Sequence, residues 1–367
     1  MVKVLIILGG LGGEGISNSV LTYLETMDKK DIDIYLGVAG PAKKSALKRA
    51  QAIGINLSIL PGRNSKPILY FKALKEFVRT QHFDIVHVHG NSATLALDML
   101  AAKRGGCNIR IAHSRNTSCT HPIIDKVLRP LFYANYTDGF ACGEKAGKWL
   151  FKNRPFTVIP NGKNINRFLF NADIRNTMRR ELGIDDKIVL GHVGVFNIQK
   201  NHAFLIEIFR EICTRSNRYV LVLIGEDGGL QSDIKKKVND YNLNDKVKFI
   251  GFKRDIEKYL CAMDIMVFPS IYEGLPNVVL EWQLSGLPSL LSDCITRECK
   301  VMDYAEYLPL DKGEKFWTDK ILSTSIRKRN GEQNYIKSIF LKAGYDIENN
   351  AKLLKQIYFK LVETRLY

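Results

Sequence analysis

Two carboxylates, Glu273 and Glu281, stand eight residues apart in the segment Phe268-Pro-Ser-Ile-Tyr-Glu-Gly-Leu-Pro-Asn-Val-Val-Leu-Glu281. The apolar run Ile265–Phe268 reads as a strand ending in a loop that carries Glu273 and Gly274. Pro276 suits the first turn of a following helix, where a missing N–H matters little. Gly286 and Pro288 stop that helix near Ser285. Backbone N–H groups near Leu275, Asn277 and Val278 then point out of the helix start. Such a start attracts phosphate through its unpaired donors and the helix dipole. Carboxylates beside an anion repel it unless they bind its hydroxyls, and a sugar or a ribose supplies hydroxyls. The competing reading is purely structural: Glu273 complements the helix dipole and Glu281 is solvated on the helix surface. Spacing alone leaves both open.

A second glycine-rich turn, Gly9-Gly-Leu-Gly-Gly-Glu-Gly15, follows the first apolar run, Val2–Leu8. Glycines there let backbone approach a ligand and open the next helix. The spacing is not that of a dinucleotide fingerprint. His113, followed by Ser114 and Arg115, closes the run Ile109–Ala112, and His87 and His89 close another. A lone strand-end histidine is ordinarily structural; His202 reads as a cap or a packed ring. No Asp-x-Asp pair follows a strand, and the His and Cys spacing fits no zinc pattern, so no metal and no other cofactor is expected.

The elements that must position these groups alternate. Val2–Leu8, Ile34–Val38, Ile85–His89, Ile109–His113 and Gly139–Ala141 read as strands. The helical stretches Ile16–Met27, Lys43–Ile53, Ile68–Thr80 and Ser92–Lys103 lie between them. The pattern restarts with strands Lys187–Val193, Tyr219–Ile224, Val247–Ile250 and Ile265–Phe268, and helices Ala203–Thr214 and Gln231–Tyr241. Strands alternating with helices imply parallel sheets. The seam falls near Val158–Phe170, where Pro160, Asn161 and Gly162 signal a turn, and Asn349–Val362 reads as an amphipathic helix. The fold expected is α/β: two doubly wound, Rossmann-like domains facing a cleft, with ligands beyond the carboxyl ends of the strands.

Composition agrees with a globular chain: 46% hydrophobic, 25% charged, with 367 residues to divide between two cores. Seven cysteines without a C-x-x-C pair fit a reducing cytoplasm. No apolar run approaches a spanning helix. The net charge of +16 is concentrated in residues 1–162 and favours an anionic partner.

The segment from Pro269 to Glu281 resembles the signature of family 4 retaining glycosyltransferases of the GT-B fold. Further segments match in order: Val158-Ile-Pro-Asn-Gly162, Gly191-His-Val-Gly-Val-Phe-Asn-Ile-Gln-Lys-Asn-His202, Leu223-Ile-Gly-Glu-Asp-Gly228, Phe249-Ile-Gly251 and Ser292-Asp-Cys-Ile-Thr296. The subgroup resembled builds bacterial capsular and exopolysaccharide repeat units. The resemblance implies an acceptor-binding domain over 1–162, a nucleotide-sugar-binding domain over 163–348, and a helix over 349–367 that crosses back to the first.

By the same resemblance, Glu273 hydrogen-bonds the transferred sugar, Glu281 holds the ribose hydroxyls, and Lys200 neutralises the leaving diphosphate in place of a metal ion. Gly274, Leu275, Asn277 and Val278 offer amides, Gly251 and Lys253 line the base pocket, Gly12 and Gly13 face the phosphates, and His113 lines the reacting sugar. The family's usual arginine beside Lys200 is replaced by Val195.

The expected partners are a nucleotide-sugar donor, UDP-linked by default, and a lipid-linked or saccharide acceptor. The basic segments Lys43–Arg49 and Arg63–Arg79 add an anionic membrane surface as a further partner, with the protein peripheral at its inner face. A nucleic-acid partner has only the net charge in its favour. The alternatives are a non-catalytic nucleotide-sugar-binding subunit and a sugar-nucleotide epimerase of the same fold.

Overall fold

The computed structural model describes residues 1–12 and 15–366. Gly13, one of the expected donor contacts, lies outside the described residues. The chain divides into two compact units, Met1–Lys163 with Gly344–Tyr367, and Asn164–Ala343.

The first unit holds strands β1 (Val2–Leu8), β2 (Ile32–Val38), β3 (Asn56–Ile59), β4 (Ile85–Gly90), β5 (Ile109–Ser114), β6 (Asp138–Ala141) and β7 (Thr157–Val158). Their order is β3-β2-β1-β4-β5-β6-β7, parallel throughout. Near-continuous apolar runs such as Val4–Leu8 are buried on both faces, as helices on both sides of a parallel sheet require. On one face the helix Gly15–Thr26 packs with the final helix, Ile347–Leu366, whose Ile347, Ala351, Leu354 and Tyr358 enter the core. The other face is covered by helices Pro67–Gln81, Ala96–Arg104, Pro122–Tyr133 and Glu144–Phe151, through Tyr70, Leu74, Val78, Met99, Phe132 and Phe151.

The second unit holds β8 (Ile188–Val193), β9 (Tyr219–Ile224), β10 (Val247–Gly251), β11 (Ile265–Phe268), β12 (Ser289–Ser292) and β13 (Ala305–Leu308). The order is β10-β9-β8-β11-β12-β13, again parallel. Buried Asp264, just before β11, accepts from Arg175 at 2.5 Å, from Arg179 at 3.1 Å and from the Val189 amide at 2.8 Å, which pins the start of β8 to β11. Chain order reverses between β1 and β4 in one sheet and between β8 and β11 in the other. In open α/β sheets such switch points are where ligands bind.

Four short strands escape the periodicity reading: β3, β7, β12 and β13 have two to four residues each, too few for a period to register. Pro276 is also placed differently. It is the N-cap, in extended conformation, and the helix runs from Asn277 to Leu284. Arg63 is withdrawn from the basic segment in which it was counted, because it bonds the fully buried Asp98 at 3.0 Å ahead of the helix start at Pro67.

Candidate active site

Two loops meet at the β8/β11 switch point. The loop after β8 contains a single 3-10 turn, Ile198–Lys200, capped by Asn197, whose Oδ1 accepts from the Lys200 amide at 3.1 Å. Asn201 takes a left-handed conformation and starts the helix His202–Arg215. The loop after β11 runs from Pro269 to Pro276. Two hydrogen bonds stitch the loops together: the Ile271 amide donates to the Gln199 carbonyl at 2.9 Å, and Gln199 Nε2 donates to the Tyr272 carbonyl at 3.0 Å. Lys200 Nζ closes the junction on Glu273 Oε1 at 2.5 Å and lies 4.7 Å from the centre of the Phe268 ring.

The helix Asn277–Leu284 begins beside this pair, and its leading N–H groups have no acceptor within the helix itself. Glu273 is 9% exposed and Glu281 6%. The structural alternative for Glu281 as a solvated surface residue is therefore wrong. A buried carboxylate is unfavourable without hydrogen-bonding partners, so burial here argues for a built polar site.

Glycines let the neighbouring loops close in. A Cβ on Gly225 lies 1.8 Å from the Gly194 carbonyl oxygen, so only glycine fits after β9. The Gly225 amide donates to the Gly251 carbonyl at 3.1 Å, where β10 shifts register and Gly251 adopts φ +74°. Lys253 follows two residues on, 5.6 Å from the Tyr259 ring. Around the helix start Leu275 is buried, and Gly274 and Val278 are partly exposed. Beneath the loops, burial pushes the His192 imidazole down to about 4; its Nδ1 bonds the Val267 carbonyl at 2.9 Å. His202 packs its ring on Phe196, with ring centres 4.2 Å apart. Val195 presents its methyl groups to Gly228 and brings no charge.

The first unit carries the remaining expected residues. The Gly12 amide donates to Ser17 Oγ at 3.2 Å. His113 lies within a buried chain of hydrogen bonds whose direction is fixed by chemistry. Arg115 only donates, so His113 Nε2, 3.2 Å from Nη1, accepts. The proton of His113 is then on Nδ1 and is donated to His87 Nε2 at 3.1 Å. His87 in turn carries its proton on Nδ1, 2.6 Å from the Tyr358 hydroxyl. Burial, reinforced by the Arg115 charge, pushes His113 well below the usual imidazole range and His87 down to about 3. Arg115 also donates to Asn161 Oδ1 at 2.8 Å. A cavity of about 20 Å³ borders these groups and His89, room for one water.

The ligand nitrogens of His87, His89 and His113 lie within 4.8 Å of one another, close enough to gather a metal ion. Two of the rings are occupied by the directed chain, and the Arg115 guanidinium repels a cation beside His113. Sequence reasoning missed Tyr358, whose partner His87 lies 271 residues away and leaves no local signal, and the engagement of Arg115 with His113 and Asn161.

Two family descriptions match the chain, Glycosyltransferase Family 4 over residues 13–167 and Glycosyl transferases group 1 over residues 174–306. EpsF, a Bacillus subtilis protein named as a glycosyltransferase, is 30% identical over 371 residues, spanning 97% of this chain and 96% of its own. The chain belongs to glycosyltransferase family 4. This glycosyltransferase is also 26% identical over 332 residues to the Escherichia coli UDP-Gal:alpha-D-GlcNAc-diphosphoundecaprenol alpha-1,3-galactosyltransferase, across 84% of this chain and 82% of that one. Its fold is GT-B, shared with Anabaena HepE, crystallised with UDP-glucose: TM-score 0.72 at 15% identity, with 100% of this chain and 99% of HepE covered. No described helix of the glycosyltransferase is long and apolar enough to cross a membrane.

Proposed function

We propose that this glycosyltransferase moves a sugar from a UDP-linked donor onto a lipid-linked saccharide in bacterial polysaccharide synthesis, with retention and without a metal ion. The observation that carries the reading is the Lys200–Glu273 pair at the β8/β11 switch point, beside the start of the Asn277 helix. A diphosphate at that helix start draws Lys200 from Glu273, and the released carboxylate accepts hydroxyls of the transferred sugar. The ammonium and the leading amides then stabilise charge that grows on the leaving diphosphate, a contribution of about 3 kcal/mol per well-placed donor. Glu281, buried one turn deeper, holds the ribose. Gly251 and Lys253 border the base.

The relatives support the substrate class: the E. coli enzyme is named for a UDP-galactose donor and a diphosphoundecaprenol acceptor, and HepE was crystallised with UDP-glucose. The test is a thermal-shift screen of nucleotide sugars, followed by transfer assays on a polyprenyl-diphosphate saccharide with and without EDTA. The expected result is stabilisation by a UDP-sugar, transfer that survives EDTA, and loss of transfer in a folded Glu273→Ala variant. Stabilisation by no nucleotide sugar overturns the reading. Val195 favours a second reading, a donor-binding subunit without turnover; it predicts the same stabilisation with no product formed.

A further inference from the structure

We infer that the outward face of the Pro122–Tyr133 helix is the surface by which this protein seats on an anionic lipid bilayer. The helix packs Leu128 and Phe132 against the core and carries a second apolar arc on its outward face. Ile123 is 79% exposed, Val127 71%, Ile124 49% and Leu131 40%. At about 100° per residue these four fall within one arc of roughly 100°. Pro130 is exposed beside them. Asp125 and Arg129 point inward, while Lys126 stays exposed at the margin of the arc. Asp125 is buried, accepts the Ala93 amide at 2.7 Å and pairs with Arg129 at 2.8 Å. Arg129 also donates to the Tyr133 hydroxyl at 2.8 Å and to the Leu150 carbonyl at 3.1 Å. With Phe132 buried in the core, the rotation of the helix is fixed and its apolar arc is held outward.

A second apolar point lies at the same carboxyl end of the sheet, after β3 rather than β5. Ile68 and Leu69 are exposed at the start of the Pro67–Gln81 helix, which covers the same sheet face and likewise begins beyond the carboxyl end of a strand. Exposed lysines accompany both: Lys66 at the cap of one helix and Lys72 within it, Lys126 on the other. The exposed carboxylates of the helices on this face, Glu76 and Glu144, each lie beside a cation of their own helix, and Asp98 and Asp125 are buried. Branched aliphatic side chains with flanking lysines suit the boundary between acyl chains and anionic headgroups. A second copy of the chain fits poorly, because it brings like charges together.

The inference rests on the reading of a lipid-linked acceptor for its purpose, but the binding is testable without acceptor or donor. The purified protein is floated with vesicles of phosphatidylcholine alone and of phosphatidylcholine mixed with phosphatidylglycerol. It should bind the mixed vesicles, more weakly as salt rises. Ile123→Ser combined with Val127→Ser should weaken binding at least roughly ten-fold, since two apolar side chains lose their transfer to the lipid phase. The double variant should keep the wild-type Tm and the wild-type thermal shift with a nucleotide sugar, which separates this outcome from failure of the donor site. Absence of binding to mixed vesicles overturns the inference, as does undiminished binding by the double variant. A concentration-dependent dimer that the double substitution abolishes, with vesicle binding untouched, assigns the face to a second copy instead.

Discussion

Lys200 Nζ and Glu273 Oε1 lie 2.5 Å apart, each on a loop that leaves the carboxyl end of one of two adjacent strands, β8 and β11. The pair keeps a cation where a diphosphate is expected and balances the charge of a buried carboxylate. Replacing Lys200 by Ala removes both services. Transfer should fall at least a hundred-fold, and stability should fall by about 3 kcal/mol, because one partner of a buried pair is left behind. The combined Lys200→Ala, Glu273→Gln variant should recover much of the stability and none of the activity. Urea unfolding of the single and double variants, run beside a transfer assay, reads both.

The directed chain from Arg115 through His113 and His87 to Tyr358 assigns the proton on both rings to Nδ1. Long-range nitrogen–proton correlation spectra near neutral pH should show the Nδ1–H tautomer for each. An Nε2–H tautomer at His113 contradicts the assignment. Arg115→Met should destabilise by about 2 kcal/mol through the acceptors left bare and should release the tautomer preference.

Burial also predicts acid sensitivity. His87 is pushed down to about 3, His192 to about 4, and His89 and His113 well below their ordinary range. In the unfolded chain each titrates near 6.5. Between the folded and unfolded values the unfolded state binds more protons, so stability is full above about 6.5 and is lost as pH falls below it. Each ring locked neutral costs about 2 kcal/mol at pH 5. Urea midpoints should therefore drop steeply from neutral pH to pH 5, and His87→Gln should flatten the slope even as it lowers the plateau. A midpoint that does not change over this range contradicts the prediction.

Two glycines make a contrasting pair. Gly225→Ala puts a methyl group 1.8 Å from the Gly194 oxygen and should disrupt the loop that carries Lys200. A loss of about 3 kcal/mol or more, with nucleotide-sugar stabilisation gone, is expected. Gly183 has φ +62° with open space around it, so Gly183→Ala meets only backbone strain, about 1 kcal/mol. Differential scanning calorimetry with and without donor separates the two.

The strand, loop and helix start around Glu273 are legible in the sequence because they occupy one stretch, and their order dictates their meeting. Lys200 follows from a second such stretch. Burial of Glu281 is not legible, because a helix sequence does not reveal that both its sides are covered. The histidine chain is hidden for another reason: β4, β5 and the final helix meet only in the folded sheet. The Pro122–Tyr133 helix goes unread because its apolar residues lie on both its inward and outward sides and a proline stands within it. The parallel sheets themselves are plain in the alternation of apolar runs and amphipathic stretches, although the short edge strands carry too few residues to announce themselves.

The Lys163 amide bonds the Tyr345 carbonyl at 2.7 Å, and the Ile347 amide bonds the Lys163 carbonyl at 3.0 Å, so the polypeptide re-enters the first unit where it left. Topologically, residues 164–343 are a loop thrown out from a sheet that is still waiting for Leu354 and Tyr358. During synthesis, the earliest strands to emerge from the ribosome therefore remain without their last covering helix until the whole second unit has been made. Through that interval one apolar face of the sheet stands uncovered, the condition under which a nascent chain is prone to aggregate.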